Sequence, residues 1–245
     1  MVLRSIFLLV AIIFFASCQF TETMVLNEDG SGRMAIDLNM DEMMAFGGMG
    51  LDSSTVKMDT LISMKEFLEE HKDSIATLSS EQQQKLKKME NYNIRMLMDS
   101  EEEKLTVNMY TDFKNVSEAN DIMNGLNEGS AAMPNMSGTS IESKEDSPET
   151  MGVKYQFKGK KFKRDAYIID KELHKQQVDS MKSAEAFMSS MKYKLKYTFP
   201  KKIVKSSIED ATYSLDGKTL EVERSFLDYL KDPDILDLEV ELEEN

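Results

Sequence analysis

The residues that could act as nucleophiles or general bases in this 245-residue chain are few and far apart. Cys18 is its one cysteine, and His71 and His174 are its two histidines. A covalent hydrolase needs Ser or Cys beside a histidine that an acidic group orients. The two histidines fall on different predicted helices, and neither a GxSxG nor an HExxH motif occurs in the sequence. We therefore expect no catalytic site, and we predict that both histidines are solvated helix residues.

Cys18 stands directly after a segment typical of secretion signals. Arg4 is the one charge among the first twenty residues, and an unbroken apolar run covers residues 6–16. This run is shorter than the roughly 20 residues that cross a bilayer, and the two residues directly before Cys18, at positions 16 and 17, are small. With no second cysteine, an intramolecular disulfide is impossible. We interpret residues 1–17 as a signal peptide and Cys18 as the lipid-bearing first residue of the mature chain.

The end of the signal resembles the lipobox of bacterial lipoproteins, which a dedicated peptidase cuts before a diacylglyceryl cysteine. Phe15 stands where Leu or another aliphatic residue is usual. The alternatives are an ordinary secreted protein with a free cysteine and an uncleaved anchor. Acyl chains such as palmitate on Cys18 would attach the protein to a membrane, since each buried methylene contributes roughly 0.8 kcal/mol. We expect a protein of the cell envelope, anchored in the outer membrane, whose partners are that membrane and other envelope proteins.

Two further stretches contain metal-binding residue types without the rest of a site. Asn27–Gly32 begins like a calcium loop, yet Leu38 stands where an EF-hand needs a bidentate Glu. The second stretch is a methionine cluster: Met40, Met43, Met44 and Met49. Thioethers suit Cu(I), but neither His nor Cys accompanies these methionines. We predict a tight turn at the first stretch, apolar packing for most methionines, and neither a metal ion nor a cofactor.

The charge of the chain argues against nucleic-acid partners. Its formal net charge is −14, and such a surface repels DNA and RNA. Two basic stretches, residues 154–164 and 192–205, stand out against this background. They could contact lipid phosphates, but the lysines of 192–196 have the same two-residue period as the acids of 237–243. We favour internal cross-strand pairing between the lysines of 192–196 and the acids of 237–243.

Alternation of apolar and polar residues predicts antiparallel strands along much of the chain. The predicted strands cover residues 20–26, 33–40, 94–98, 105–109, 153–157, 193–199, 211–215, 219–224 and 236–243. The last of these places Leu236, Leu238, Val240 and Leu242 at every second position. We therefore expect the C-terminal segment to be a half-buried strand of the main sheet and not an acidic tail.

Four segments have the apolar spacing or the capping residues of helices. They are residues 59–72, a short helix from Ser80, a helix from Ser117 to 126, and residues 171–191 behind Asp170. Residues 127–150 instead combine Asn, Gly, Ser, Thr, Pro and acids without an apolar period. We predict a mobile surface loop there, which could be shortened without loss of the fold.

Four segments of the mature chain carry a family resemblance: residues 18–23, 27–37, 197–203 and 214–218. In these segments the chain resembles an uncharacterised lipoprotein family of Bacteroidetes and flavobacteria. The order of an opening hairpin, a Phe-Pro strand and a late Asp-Gly hairpin is also similar to the LppM-type lipoprotein domain. These resemblances imply an antiparallel sheet and a lipid-related role, and they bring no functional residues.

Together these patterns predict one mature domain, residues 18–245, of the α+β class. A mainly antiparallel sheet should pack its helices on one face. The function we expect is that of a non-catalytic binding or structural module on a lipid anchor. The alternative is a carrier that holds a hydrophobic or lipid ligand in a cavity between the sheet and the helices.

Overall fold

The computed structural model describes residues 19–41, 44, 57–121 and 150–244. The predicted loop at 127–150 and the end of the helix predicted from Ser117 lie outside the described residues, apart from Thr150 at the loop's end. In chain order the strands are β1 (Gln19–Leu26), β2 (Gly32–Asn39), β3 (Lys57–Ser63), β4 (Tyr92–Asp99), β5 (Lys104–Phe113), β6 (Met151–Lys158), β7 (Lys161–Ile168), β8 (Lys192–Thr198), β9 (Ile203–Ser206), β10 (Thr212–Tyr213), β11 (Thr219–Ser225) and β12 (Leu238–Leu242).

The strands form two sheets. The eight-stranded sheet has the order β10-β11-β8-β1-β2-β5-β4-β3, and the four-stranded sheet has the order β6-β7-β12-β9. Neighbouring strands are antiparallel, except that β1 and β8 are parallel. The α+β class and the antiparallel sheet expected from the sequence are therefore confirmed. The C-terminal segment is a strand, as predicted, but it lies in the smaller sheet.

The described helices are short. They are α1 (Met64–Glu70), α2 (Lys72–Ile75), α3 (Ser80–Lys88), α4 (Lys171–Ser180), α5 (Glu185–Met188) and α6 (Phe226–Lys231), with 3₁₀ helices at Val116–Asp121, Met181–Ala184 and Pro233–Leu236. No helix among residues 19–41, 57–121 and 150–244 is long and apolar enough to cross a membrane.

The helix predicted over 59–72 is wrong in its first third. Residues 57–63 form the edge strand β3, which pairs with β4 along its whole length. Ser63 then caps α1 by accepting a hydrogen bond from the N–H of Glu66. Met64 is buried, whereas Leu61 is 61% exposed. The apolar residues at helical spacing belong to two elements, the strand β3 and the helix α1. Residues 59–63 are extended because their pairing with β4 outweighs the local helical spacing.

Two other helix predictions need correction at their ends. The capping box of α3 joins Ser79 and Gln82, one residue before the predicted Ser80. Asp170 caps α4 as expected and accepts hydrogen bonds from the N–H groups of residues 172 and 173. The predicted helix 171–191 is interrupted by a 3₁₀ turn at 181–184 and ends at 188. Neither Gly nor Pro marks this break, so the residue types contain no signal for it.

The core lies between the two sheets. The ring of Phe162 on β7 packs edge-on against Tyr197 and Phe199, with ring centroids 5.5 and 5.3 Å apart. Helix α6 and the 3₁₀ helix Pro233–Leu236 close the same layer, where Tyr229 and Leu236 are buried. The methionines confirmed as buried core residues are Met24, Met34, Met64, Met89, Met98 and Met109.

Candidate functional site

A buried ion pair joins the two sheets. Glu22 on β1 and Arg164 on β7 are both completely inaccessible to solvent. The guanidinium donates twice, from Nε to Oε1 at 3.2 Å and from Nη2 to Oε2 at 3.1 Å. This two-pronged geometry matches the planar guanidinium to the carboxylate. The sequence analysis identified neither residue.

Tyrosine hydroxyls surround the carboxylate of Glu22. Tyr155 donates to Oε1 at 2.6 Å, and Tyr193 and Tyr197 also donate to the same carboxylate. Arg164 also donates from Nη1 to the carbonyl of Leu236 at 3.1 Å and from Nη2 to the hydroxyl of Tyr229, on α6, at 3.5 Å. Strands of both sheets and the segment after α6 therefore contribute to one hydrogen-bonded cluster, which we call the Glu22 centre (Glu22, Tyr155, Arg164, Tyr193, Tyr197 and Tyr229).

The environment holds Glu22 in its ionised form. Burial alone would raise the pKa of Glu22, but the charge of Arg164 and the hydrogen bonds of Arg164, Tyr155 and Tyr193 outweigh this, so the pKa lies below 4.5. Burial and the nearby carboxylate raise the pKa of Tyr155, Tyr193 and Tyr197 well above 10. The phenols therefore stay protonated, as donors, at neutral pH.

The chemistry of the Glu22 centre is structural. Its carboxylate and guanidinium have no solvent-exposed surface through which a substrate could reach them. A sequence signal did exist, because Glu22 alternates with Phe20 and Met24 and so falls on the apolar face of β1. Arg164 likewise stands between Phe162 and Ala166. A charged residue at an inward position of an alternating strand indicates a buried partner.

Cys18, the predicted lipidation site, lies outside the described residues. The residue that follows it, Gln19, is the first of β1 and pairs with Asn39 and Lys192 on the two neighbouring strands. β1 is the fourth strand of the eight-stranded sheet. The described fold therefore starts, at a central strand, one residue after the predicted lipid-bearing position.

The two histidines differ in their surroundings. His71 is exposed, as predicted, and its ring stacks on Phe67 with centroids 4.3 Å apart. His174 is only 6% exposed, so its prediction as a solvated residue is wrong. Its Nε2 lies 2.8 Å from the carbonyl oxygen of Leu230 and donates to it. The helix periodicity of α4 did not show that α6 would cover this position.

The predicted turn at Asn27–Gly32 is confirmed. The carboxylate of Asp29 accepts hydrogen bonds from the N–H and hydroxyl of Ser31, and Gly30 has a φ of 83°. Of the methionine cluster, Met40 and Met44 are described, whereas Met43 and Met49 lie outside the described residues. Among the described residues we found no group of three or more His, Cys, Asp or Glu side chains that could hold a metal ion.

Several lysines of the basic stretches pair internally, but with partners other than those predicted. Lys196 on β8 lies 3.0 Å from Glu221 on the neighbouring strand β11. The acids of β12 instead meet the first basic stretch, with Glu241 2.9 Å from Lys160. The prediction that the lysines of 192–196 face the acids of 237–243 is therefore wrong. The shared two-residue period did not show that the two strands belong to different sheets.

A groove of about 590 Å³ crosses the outer face of the four-stranded sheet. The residues that line it are Gln156, Lys158, Lys161, Phe162, Lys163, Lys205, Ser207, Glu239, Val240 and Glu241. Charged side chains dominate this lining, whereas a carrier of hydrophobic ligands needs an apolar one. The carrier hypothesis stays a prediction, and the groove offers a different chemistry.

Comparison with known proteins found one distant structural neighbour. The chain matches no protein family and no curated protein. Among solved structures it is similar to the folded domain of the LppM protein of Mycobacterium tuberculosis, determined by NMR. The identity is 6%, the alignment covers 96% of this chain and 95% of the other, and the TM-score is 0.40. The neighbour has the LppM-type layout to which the sequence is similar, but at this TM-score we infer nothing about function from it.

Proposed function

We propose that this protein is a lipid-anchored, non-catalytic binding or structural module of the cell envelope, with Cys18 as the acylated residue. The observation that carries the proposal is the position of Cys18, the one cysteine of the chain, directly after a short apolar run and two small residues. Gln19, the next residue, is the first of a strand in the middle of the larger sheet. Cleavage before Cys18 would leave this strand whole.

The attachment would be stiff. Phe20 is 5% exposed and packs its ring 4.5 Å from that of Tyr193. Glu22, two residues further on, is bonded to Arg164 in the other sheet. An acylated Cys18 would thus be joined by one peptide bond to the core, with no flexible linker to separate the domain from the bilayer.

Metabolic labelling with a fatty acid tests the proposal. We expect the wild-type chain to incorporate the label and to fractionate with membranes. Cys18→Ser should lose the label and either leave the membrane or remain as an unprocessed precursor. Ser17→Ala, which keeps a small residue before the cleavage site, should behave as wild type. Fatty acid on the Cys18→Ser protein would refute the assignment of Cys18 as the anchor.

A further inference from the structure

A row of lysines crosses the outer face of the four-stranded sheet. Strand register places Lys158 opposite Lys161, Lys161 opposite Glu241, and Glu241 opposite Lys205. The four side chains therefore share one cross-strand line over β6, β7, β12 and β9. Adjacent strands are about 4.8 Å apart, so the row is roughly 15 Å wide.

The row carries more positive than negative charge. Like charges directly opposite each other in an antiparallel pair destabilise the sheet, and Lys158 and Lys161 are such a pair. The one carboxylate of the row, Glu241, lies 2.9 Å from Lys160, and the hydrogen bond of Lys160 and the charges of Lys160, Lys161 and Lys205 all lower its pKa. Among the described residues, no carboxylate lies within ion-pair distance of Lys158, Lys161 or Lys205. The excess positive charge stands out on a chain whose net charge is −14.

The lysine row lies in the groove described above. Gln156 and Ser207 add polar donors beside it, whereas the ammonium of Lys163 is paired with Asp165 at 3.1 Å and lies 3.9 Å from Glu239. The hydroxyl oxygen of Ser207 accepts a hydrogen bond from the N–H of Glu239 at 2.9 Å. The hydroxyl hydrogen of Ser207 is therefore available to a ligand. A volume of about 590 Å³ falls within the range of small-molecule sites. The groove therefore combines a suitable size with a surplus of cations.

We propose that the groove binds the phosphate group of an anionic ligand through the row Lys158, Lys161 and Lys205. Lysine is a strong phosphate ligand because its ammonium acts as a compact charge. The groove has no arginine among its lining residues, so its cations would act as point charges and not as the two-pronged fork that arginine offers to phosphate or carboxylate. Two ammoniums on neighbouring strands can reach one phosphate or the two phosphates of a diphosphate.

The position of the row indicates the source of the ligand. The ring of Phe157, just before the β6–β7 turn, lies close to Gly30 in the β1–β2 turn. A Cβ added to Gly30 would be 3.9 Å from that ring. That turn is at the opposite end of β1 from Gln19. If the proposed function is correct, the row points away from the anchoring membrane. This orientation favours a soluble phosphorylated compound over the headgroups of that membrane.

Calorimetric titration of the full chain in neutral detergent, at constant ionic strength, tests the proposal. The probes are sodium pyrophosphate and glycerophosphoglycerol, the deacylated form of an anionic lipid. We expect pyrophosphate to bind the wild type and the double variant Lys158→Gln/Lys161→Gln to bind it at least tenfold more weakly. The matched control Lys171→Gln/Lys175→Gln removes the same charge from exposed positions of α4 and should bind like wild type.

The outcomes distinguish binding at this site from unspecific attraction of anions to surface lysines. Removal of the opposed lysines should leave the unliganded melting temperature unchanged or higher, and Lys205→Gln provides a second variant of the row. Tighter binding of glycerophosphoglycerol than of pyrophosphate would support the site and make a lipid headgroup the source. Equal weakening by both double variants, or no binding of either probe, would overturn the proposal. None of these readouts requires acylation of Cys18, so they are independent of the anchor.

Discussion

Glu22 and Arg164 show how one ion pair can specify the packing of two sheets. Bringing two charges out of water costs several kcal/mol per ion, and only good geometry and further hydrogen bonds offset it. Here the tyrosines supply those bonds from both sheets. We infer that the Glu22 centre contributes more to the choice of a single sheet arrangement than to net stability.

A double-mutant cycle tests this role. Glu22→Gln or Arg164→Met alone leaves an uncompensated buried charge, so we expect each to lower the free energy of unfolding by about 3–5 kcal/mol. The double variant should lose less than the sum of the two. Arg33→Met is the control, because its pair with Asp112 is 55% and 65% exposed and should contribute less than about 1 kcal/mol.

Urea unfolding measures these energies, and its pH dependence provides a second readout. Since the folded-state pKa of Glu22 lies below 4.5, the stability it contributes is complete above that pH. It is lost as the pH falls through the folded pKa. Glu22→Gln should remove this part of the acid sensitivity. Single-variant losses no larger than that of Arg33→Met would contradict the role of the centre.

At the scale of the element, β12 is a central strand with one buried and one solvated face. It lies between β7 and β9, and Leu238, Val240 and Leu242 are at most 2% exposed. The sequence predicted this strand because a half-buried strand alternates apolar and polar residues. The sequence did not predict which strands lie beside it, because any strand with alternating lysines would have matched its acids equally well.

The burial of β12 predicts a sharp contrast between adjacent positions. Deletion of residues 236–245 should unfold or aggregate the protein. Leu238→Ala should cost about 2–5 kcal/mol of unfolding free energy, because it removes a fully buried side chain. Glu239→Ala, on the exposed face, should leave the melting temperature nearly unchanged. Thermal unfolding of the three variants checks this, and an unchanged melting temperature of the truncated chain would show that β12 is dispensable.

At the scale of the whole molecule, the larger sheet separates Gln19, the residue next to the proposed anchor, from the opposite end of the domain. Gln19 pairs with Asn39 at one end of β1, whereas Leu215, in the turn between β10 and β11, lies toward the other. Eight residues of strand separate the two ends of β1 by about 25 Å. Leu215 is fully exposed, so its side chain accepts a probe without disturbing the core.

If Cys18 is acylated, the end of β1 that contains Gln19 should face the membrane. Site-directed spin labels test this orientation. On membranes, a label at Asn39→Cys should be relaxed by a lipid-soluble paramagnetic reagent, whereas one at Leu215→Cys should respond to a water-soluble reagent. The wild type is the control, since an acylated Cys18 should take up no label. The reverse pattern would show that the domain meets the membrane with its other end.

The sequence alone determined the features that depend on local patterns. Alternation identified most strands because a half-buried strand exposes every second residue. The turn at Asn27–Gly32 and the cap at Asp170 followed from residues with particular backbone preferences. The signal pattern before Cys18 belongs to the same class of information, because it too lies in a short run of neighbouring residues.

Only the tertiary structure decided which strands are neighbours. Strand pairing joins residues far apart in the chain, and the two-residue period is identical for every strand, so β12 could not be assigned to β7 and β9 in advance. The same limit applies to the pair of Glu22 and Arg164, 142 residues apart. It also applies to the lysine row, because Lys158, Lys161 and Lys205 come into one line only once four strands are in register.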